Sequence, residues 1–229
     1  MILKTLKTGS DGNCYAIKAD NGEILLLDAG IPIDEIKKGI GFDVGHLEGC
    51  IVSHEHKDHS LSVSKLRKMG IPMMLPYRLE AKRIRTTIGS YIIESFPVPH
   101  NGVENRAFLI TIDGVKILYA TDYEYIPYDL SNQGINIALV EMNYQTNRIA
   151  DMDEHRRHVV LGHAEEKTVI DFLSSIKKNL RKVILCHMSK SGSLDKRTAM
   201  DNLREVIPEY ISIDWATAGE SYNISTIPF

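Results

Sequence analysis

The chain has 229 residues, 43% of them hydrophobic and 25% charged, with a formal net charge of −3. That composition provides a core of normal size and excludes a disordered chain; the length suits one substantial domain, read as spanning 1–229. The mild acidity offers no general attraction to a polyanion and counts against a protein that tracks long nucleic acid. Met1–Thr8 alternates Lys with apolar residues and holds no signal-type apolar run. The longest apolar stretches, such as Ile24–Leu27, fall far short of a membrane span, so no membrane partner is expected. Cys14, Cys50 and Cys186 sit in or beside apolar runs and cannot all pair within one chain. They read as reduced thiols, which places the protein in the cytoplasm. No C-x2-C spacing occurs, so any metal must rest on histidines and carboxylates.

Ile2–Leu6 and Cys14–Ala19 are short alternating runs that predict strands. Asn21-Gly22 is a hairpin signal leading into Glu23–Leu27. Asp34–Lys38 predicts a short helix, Cys50–Ser53 a strand, and Ser60–Met69 a helix closed by Gly70 and Pro72. Ile71–Leu75 reads as a strand, Leu79–Thr87 as a basic helix, and Tyr91–Val98 as a strand. Arg106–Ile112 and Val115–Ala120 flank the hairpin signal Asp113-Gly114. Ile135–Val140 predicts a buried strand, Glu165–Ile176 a helix, Lys182–Cys186 a strand and Leu194–Val206 a helix; Tyr210–Asp214 and Ser221–Ile224 close the series. Strands in meander, then strands alternating with helices, predict an α+β fold with two sheets and helices on the outer faces, a four-layer αββα sandwich.

The chemistry concentrates in Ser53-His54-Glu55-His56-Lys57-Asp58-His59, directly after an apolar strand. Residues i and i+2 of an extended chain point to one side, so His54 and His56 can share a metal. Asp58 and His59 follow where the chain turns into a helix and can face a second. A lone His-x-His in a polar run is more often a solvated loop. Here three distant strand ends also finish in ligand-type residues, at His100, Asp122 and His187. Imidazole and carboxylate are ligands suited to borderline cations such as zinc.

This pattern of His-x-His-x-Asp-His, followed by His100, Asp122 and His187, resembles the metallo-β-lactamase superfamily along the whole chain. The resemblance implies two zinc ions, with manganese as an alternative. One is bound by His54, His56 and His100, the other by Asp58, His59 and His187, and Asp122 bridges them. Asp28, in Leu-Leu-Leu-Asp-Ala-Gly, matches an acid that orients the ligand loop from behind; without the family it reads equally well as a strand-end cap. Iron-binding redox members carry an acid in place of the second motif histidine, so His56 implies zinc hydrolysis.

Asp122 and the absence of an export signal separate the chain from the zinc β-lactamases. Gly162-His163-Ala-Glu resembles a segment of the ribonuclease Z group whose histidine approaches the phosphate, giving His163 a catalytic role beside Asp58; a helix cap or a buried histidine is the alternative. Only 21 residues lie between His100 and Asp122, and 64 between Asp122 and His187, too few for the inserts that grip long nucleic acid in related nucleases. Thr8-Gly-Ser-Asp-Gly-Asn-Cys14 and Leu27-Asp-Ala-Gly-Ile31 resemble the YycJ/WalJ branch, associated with DNA exonuclease activity, and the phage-associated anti-Pycsar proteins, which hydrolyse cyclic nucleotides. Gly-His-Ala-Glu-Glu at 162–166 departs from the Gly-His-Leu-Ser-Asn usual in the first branch.

Arg156 and Arg157 are candidates for phosphate binding, with a solvated helical face as the alternative. Tyr123, Tyr125 and Tyr128, which follow Asp122, and Tyr144 are aromatics that could stack on a base, with Tyr123, Tyr125 and Tyr144 as candidates for a wall completed by a second protomer, or else packing residues. The resulting expectation is a phosphodiesterase whose substrate is a small cyclic nucleotide. A DNA exonuclease, or a thioesterase or lactonase, would use the same residues.

Overall fold

The computed structural model describes residues 1–150, 152–188 and 193–225, with the side chains of all of these except 155, 156, 158 and 159. The strands are β1 (Ile2–Lys7), β2 (Cys14–Lys18), β3 (Ile24–Leu27), β4 (Leu47–Ile51), β5 (Met73–Met74), β6 (Ile84–Ile88) and β7 (Tyr91–Val98). They continue with β8 (Asn105–Ile112), β9 (Val115–Ala120), β10 (Ile137–Glu141), β11 (Lys182–Cys186), β12 (Ser212–Trp215) and β13 (Ser221–Asn223). The helices are α1 (Ile33–Gly39), α2 (Lys57–Ser60), α3 (Val63–Lys68), α4 (Glu154–Leu161), α5 (Glu166–Ile176) and α6 (Lys196–Val206).

Six strands form one sheet in the order β13-β1-β2-β3-β4-β5, and seven form the other in the order β12-β11-β10-β9-β8-β7-β6. Both are mixed. The hairpin-linked strands pair antiparallel, whereas β3-β4-β5 and β9-β10-β11-β12 are parallel. The β8–β9 hairpin turns on Asp113 and Gly114, both at positive φ (50° and 74°), as a tight primed turn demands.

The alternation of side chains divides the apolar residues into three layers. Leu25, Leu27 and Ile51 meet Ile93, Phe108, Tyr119 and Ile184 between the sheets. Leu26, Cys50 and Val52 pack outward against Ile36 of α1 and Leu66 of α3. Leu118, Val140 and Leu185 pack outward against α5 and α6. Val169, Ile170, Leu173 and Ile176 make the buried stripe of α5 at helical spacing. Asp195 caps α6 by accepting from the backbone N–H groups of Arg197 and Thr198, each at 3.0 Å. Two sheets face to face between helices give the expected αββα sandwich. No helix among the described residues is long and apolar enough to cross a membrane.

Several local expectations are corrected. The segment 79–87 is not a basic helix: it turns through Pro76–Arg78 and enters β6, where Ile88 is buried and Arg85 and Thr87 are exposed, a period of two. Ser60–Met69 breaks into α2 and α3, because Ser62 leaves the helix to donate its hydroxyl to Ile31 O at 2.6 Å. The strand expected over 71–75 shrinks to Met73–Met74. Helix α4 carries Arg156 and Arg157, for which a helical face stands only as the alternative reading, since Glu154–Leu161 has few apolar residues to mark a period.

Candidate metal centre

Strand ends from both sheets converge on one mouth. Asp28 and His187 immediately follow β3 and β11, Asp122 stands two residues past the end of β9, and each takes a left-handed backbone conformation (φ 58°, 49° and 52°). Non-glycine residues seldom adopt this geometry, and it gathers where a site requires a sharp change of direction. It turns each chain off its sheet while leaving the side chain at the mouth. His54 and His56 follow β4 in extended chain, and α2 then carries Asp58 and His59 round to the same place.

The predicted ligands come together. His54, His56, His100 and Asp122 each bring one ligand atom within 4.8 Å of the others, and so do Asp58, His59, Asp122 and His187. Asp122 is common to both sets: its Oδ2 lies 3.6 Å from His54 Nε2, 3.8 Å from His100 Nε2 and 3.3 Å from His59 Nε2. Asp58 Oδ2 stands 3.4 Å from His59 Nε2 and 3.8 Å from His187 Nε2. His54, His59, His100, Asp122 and His187 are buried, Asp58 is partly buried and His56 is exposed.

The other ring nitrogens are occupied from behind, which fixes each imidazole's orientation. His59 Nδ1 lies 2.6 Å from Asp28 Oδ2, and His100 Nδ1 2.8 Å from Gly162 O. Ser53 Oγ stands 3.0 Å from His54 Nδ1. Asp28 also accepts from Ser53 N at 2.7 Å, Ser53 Oγ at 3.0 Å and Tyr119 OH at 2.5 Å, which places it behind the His54–His59 loop.

Glu141, at the end of β10, was not singled out in the sequence. Its Oε1 lies 2.8 Å from both His187 Nδ1 and His163 Nδ1, and accepts from Asn143 Nδ2 at 2.9 Å. Asp122, Glu141, His163 and His187 form a third set whose ligand atoms lie within 4.8 Å of one another, and Glu141 bonds to the two histidines of that set. The loop before β2 also reaches the site. Thr8 Oγ1 accepts from His187 N at 2.9 Å, Asn13 N donates to Asp58 O at 2.7 Å, and Asn13 Nδ2 lies 3.0 Å from His59 Nε2.

The electrostatics suit a cation. Burial alone would raise the carboxyl of Asp122, but His187 and His59 hold it well below the usual range. Burial also acts against Glu141, which His163 and His187 hold down at about 2. Burial lowers His187, yet Asp122 and Glu141 outweigh it and push the ring up to about 10. His54, with burial and the neighbouring His59 both against a charge, falls to about 2. Buried ionised carboxylates require positive partners. His187 Nε2 is buried with no hydrogen-bond partner. An orphaned imidazole nitrogen facing carboxylates is what a metal ligand presents, so the donor set fits divalent cations of the borderline class.

A cavity of about 390 Å³ opens over these groups, lined by His56, Asp58, His100, Asp122, His163 and His187 together with Ser10, Asn101 and Asn143. The expected tyrosine wall is not there. Tyr123 is buried in the outer core with its hydroxyl on Glu141 O at 3.2 Å, and Tyr144 is buried beside Ile149 and Val160. Tyr125 is exposed outside the lining. Arg157 is exposed on α4 and also outside it, and the side chain of Arg156 lies outside the described residues.

Residues 8–121 match the profile of the Metallo-beta-lactamase superfamily. The exodeoxyribonuclease YycJ of Bacillus anthracis is 23% identical over 238 positions, covering 90% of this chain and 89% of that protein. Among solved structures, the metallo-beta-lactamase fold protein YhfI from Bacillus subtilis superposes with a TM-score of 0.73 at 17% identity, covering 97% of this chain and 99% of that one. A diphosphatase from the PhnP family gives 0.65 at 15% identity, covering 96% of each chain. At such identities the structural likeness concerns the fold.

Proposed function

We propose that this chain, whose residues 8–121 match the metallo-beta-lactamase superfamily profile and whose clustered His and Asp side chains suit a metal-dependent hydrolase, is a di-zinc phosphodiesterase acting on a small cyclic nucleotide. His54, His56 and His100 would hold one ion, Asp58, His59 and His187 the other, with Asp122 between them; manganese suits the same donors. When bound, the ions supply Lewis acidity and a nucleophile drawn from water at neutral pH.

The chain's own residues account for the rest. Asp58, partly exposed at the mouth, orients the attacking water. As the new P–O bond forms, the bond from phosphorus to the sugar oxygen breaks. His163 lines the cavity with Nδ1 held by Glu141, which leaves Nε2 to give its proton to the departing oxygen. Burial disfavours the imidazolium, but Glu141 outweighs it and raises the His163 pKa, as a proton donor near neutrality requires.

The preference for a small substrate rests on one observation: among the described lining residues of the cavity there is no Lys or Arg. A volume of about 390 Å³ falls in the range of small-molecule sites. A nuclease that holds a polymer uses several cationic phosphate contacts, and the net charge of −3 supplies no surplus for them.

The exodeoxyribonuclease relative favours a second reading, cleavage at DNA ends. The test offers equal phosphodiester as cyclic mononucleotides and as linear duplex with blunt or recessed ends, at low and high salt. The proposal expects hydrolysis of a cyclic nucleotide with weak salt dependence. Rapid degradation of duplex, steeply weakened by salt, with no attack on any cyclic nucleotide would establish the second reading instead.

A further inference from the structure

A second cleft of about 320 Å³ joins the catalytic cavity: His100 and Val103 line both. Its other walls are Pro97, Pro99, Pro127 and Tyr128, with Glu104 on the rim. Nothing in the hydrolytic chemistry uses it. We infer that this cleft is the nucleobase subsite and that Tyr128 is its stacking platform.

Three features carry the assignment. The walls are stiff, since three proline rings and one planar phenol ring offer apolar surface without flexible chains to order. The Tyr128 ring is already set: the ring of Phe96 meets it edge-on at 5.1 Å and 71°, and the guanidinium of Arg83 sits 5.7 Å from its centroid. Arg83 is itself tied to Glu94 at 3.0 Å. A platform fixed before binding loses little entropy when a base settles on it. The third feature is an acceptor for the base: the exposed carboxylate of Glu104 in the lining can accept from a ring N–H or exocyclic amine. With the phosphate over Asp122 and His163, the base would lie on the far side of His100 and Val103, the two residues that line both clefts. Tyr123 and Tyr144, buried elsewhere, leave this role open.

The inference rests on the nucleotide reading above, and its test separates the two. Wild type, Tyr128→Leu and Tyr128→Phe are compared on cyclic nucleotides, on thymidine 5′-p-nitrophenyl phosphate, and on methyl p-nitrophenyl phosphate, which carries no base. Thermal melting and metal content confirm that each variant is folded and loaded. Base stacking on an aromatic ring predicts that Tyr128→Leu raises KM for a nucleotide at least about 10-fold more than for the base-free diester, with kcat affected little, while Tyr128→Phe stays near wild type. Equal effects on all substrates, or a Leu variant indistinguishable from the Phe variant, would overturn the subsite and leave the nucleotide reading standing. Wild type that cleaves the base-free diester but neither class of nucleotide would overturn both.

Discussion

Oε1 of Glu141 lies 2.8 Å from Nδ1 of His163. The same oxygen lies 2.8 Å from Nδ1 of His187, whose ring stacks on that of His163 with centroids 5.4 Å apart and planes 13° from parallel. One carboxylate thus orients a candidate ligand and a candidate proton donor together, and their roles separate under mutation. His163→Ala should lower kcat by roughly 10²–10³-fold, the scale of losing one transition-state donor. Metal content should stay unchanged, because His187 keeps its bond to Glu141. Steady-state kinetics with elemental analysis check this, and loss of a metal ion would assign His163 to the ligands.

Glu141→Gln should act on pH dependence. The His163 pKa is raised in the folded protein because the Glu141 charge outweighs burial. Activity that needs the protonated ring is therefore present at low pH and falls as pH rises through that raised value. Without the carboxylate charge, the alkaline fall should move to lower pH. A pH–rate profile of the metal-loaded variant reads the shift; movement to higher pH would exclude His163 as the donor.

Asp28 is buried and accepts bonds from Ser53, Tyr119 and His59 around its two oxygens. Asp28→Asn keeps the volume but presents an amide where His59 Nδ1 needs an acceptor. Metal affinity should fall about 10–100-fold, the usual effect of losing a partner behind a metal ligand. Competition with a chelator measures it.

Gly30 is required by close approach: a Cβ there would stand 1.6 Å from Asp58 O. That atom cannot withdraw cheaply, since it accepts from Asn13 N at 2.7 Å. Gly30→Ala should destabilise the fold by about 3 kcal/mol, the upper end of overpacking costs, and displace Asp58 from its partners. Chemical denaturation should show the first effect and metal content the second.

The seven ligand candidates were legible because His54, His56, Asp58 and His59 crowd one strand exit and the other three each terminate an apolar run. Glu141 terminates such a run too. Its signal was hidden because Ile137–Val140 reads as ordinary core and the following Met142 prolongs the apolar pattern. The tyrosines after Asp122 misled for a related reason: sequence proximity to a ligand says nothing of direction, and Tyr123 turns into the outer core. Strand β6 escaped notice because Lys82, Arg83 and Arg85 dominate the reading, although Ile84, Thr86, Thr87 and Ile88 supply the β-branched signal.

Everything proposed here depends on cations bound among His54, His56, Asp58, His59, His100, Asp122 and His187, so the most direct measurement is a titration. Chelator-stripped protein receives zinc or manganese in steps while hydrolysis of a phosphodiester is followed. The account predicts no turnover in the stripped protein and a rise that levels off at about two equivalents per chain, the number a binuclear hydrolytic site requires. Full activity without metal, or a plateau at one equivalent, would contradict it.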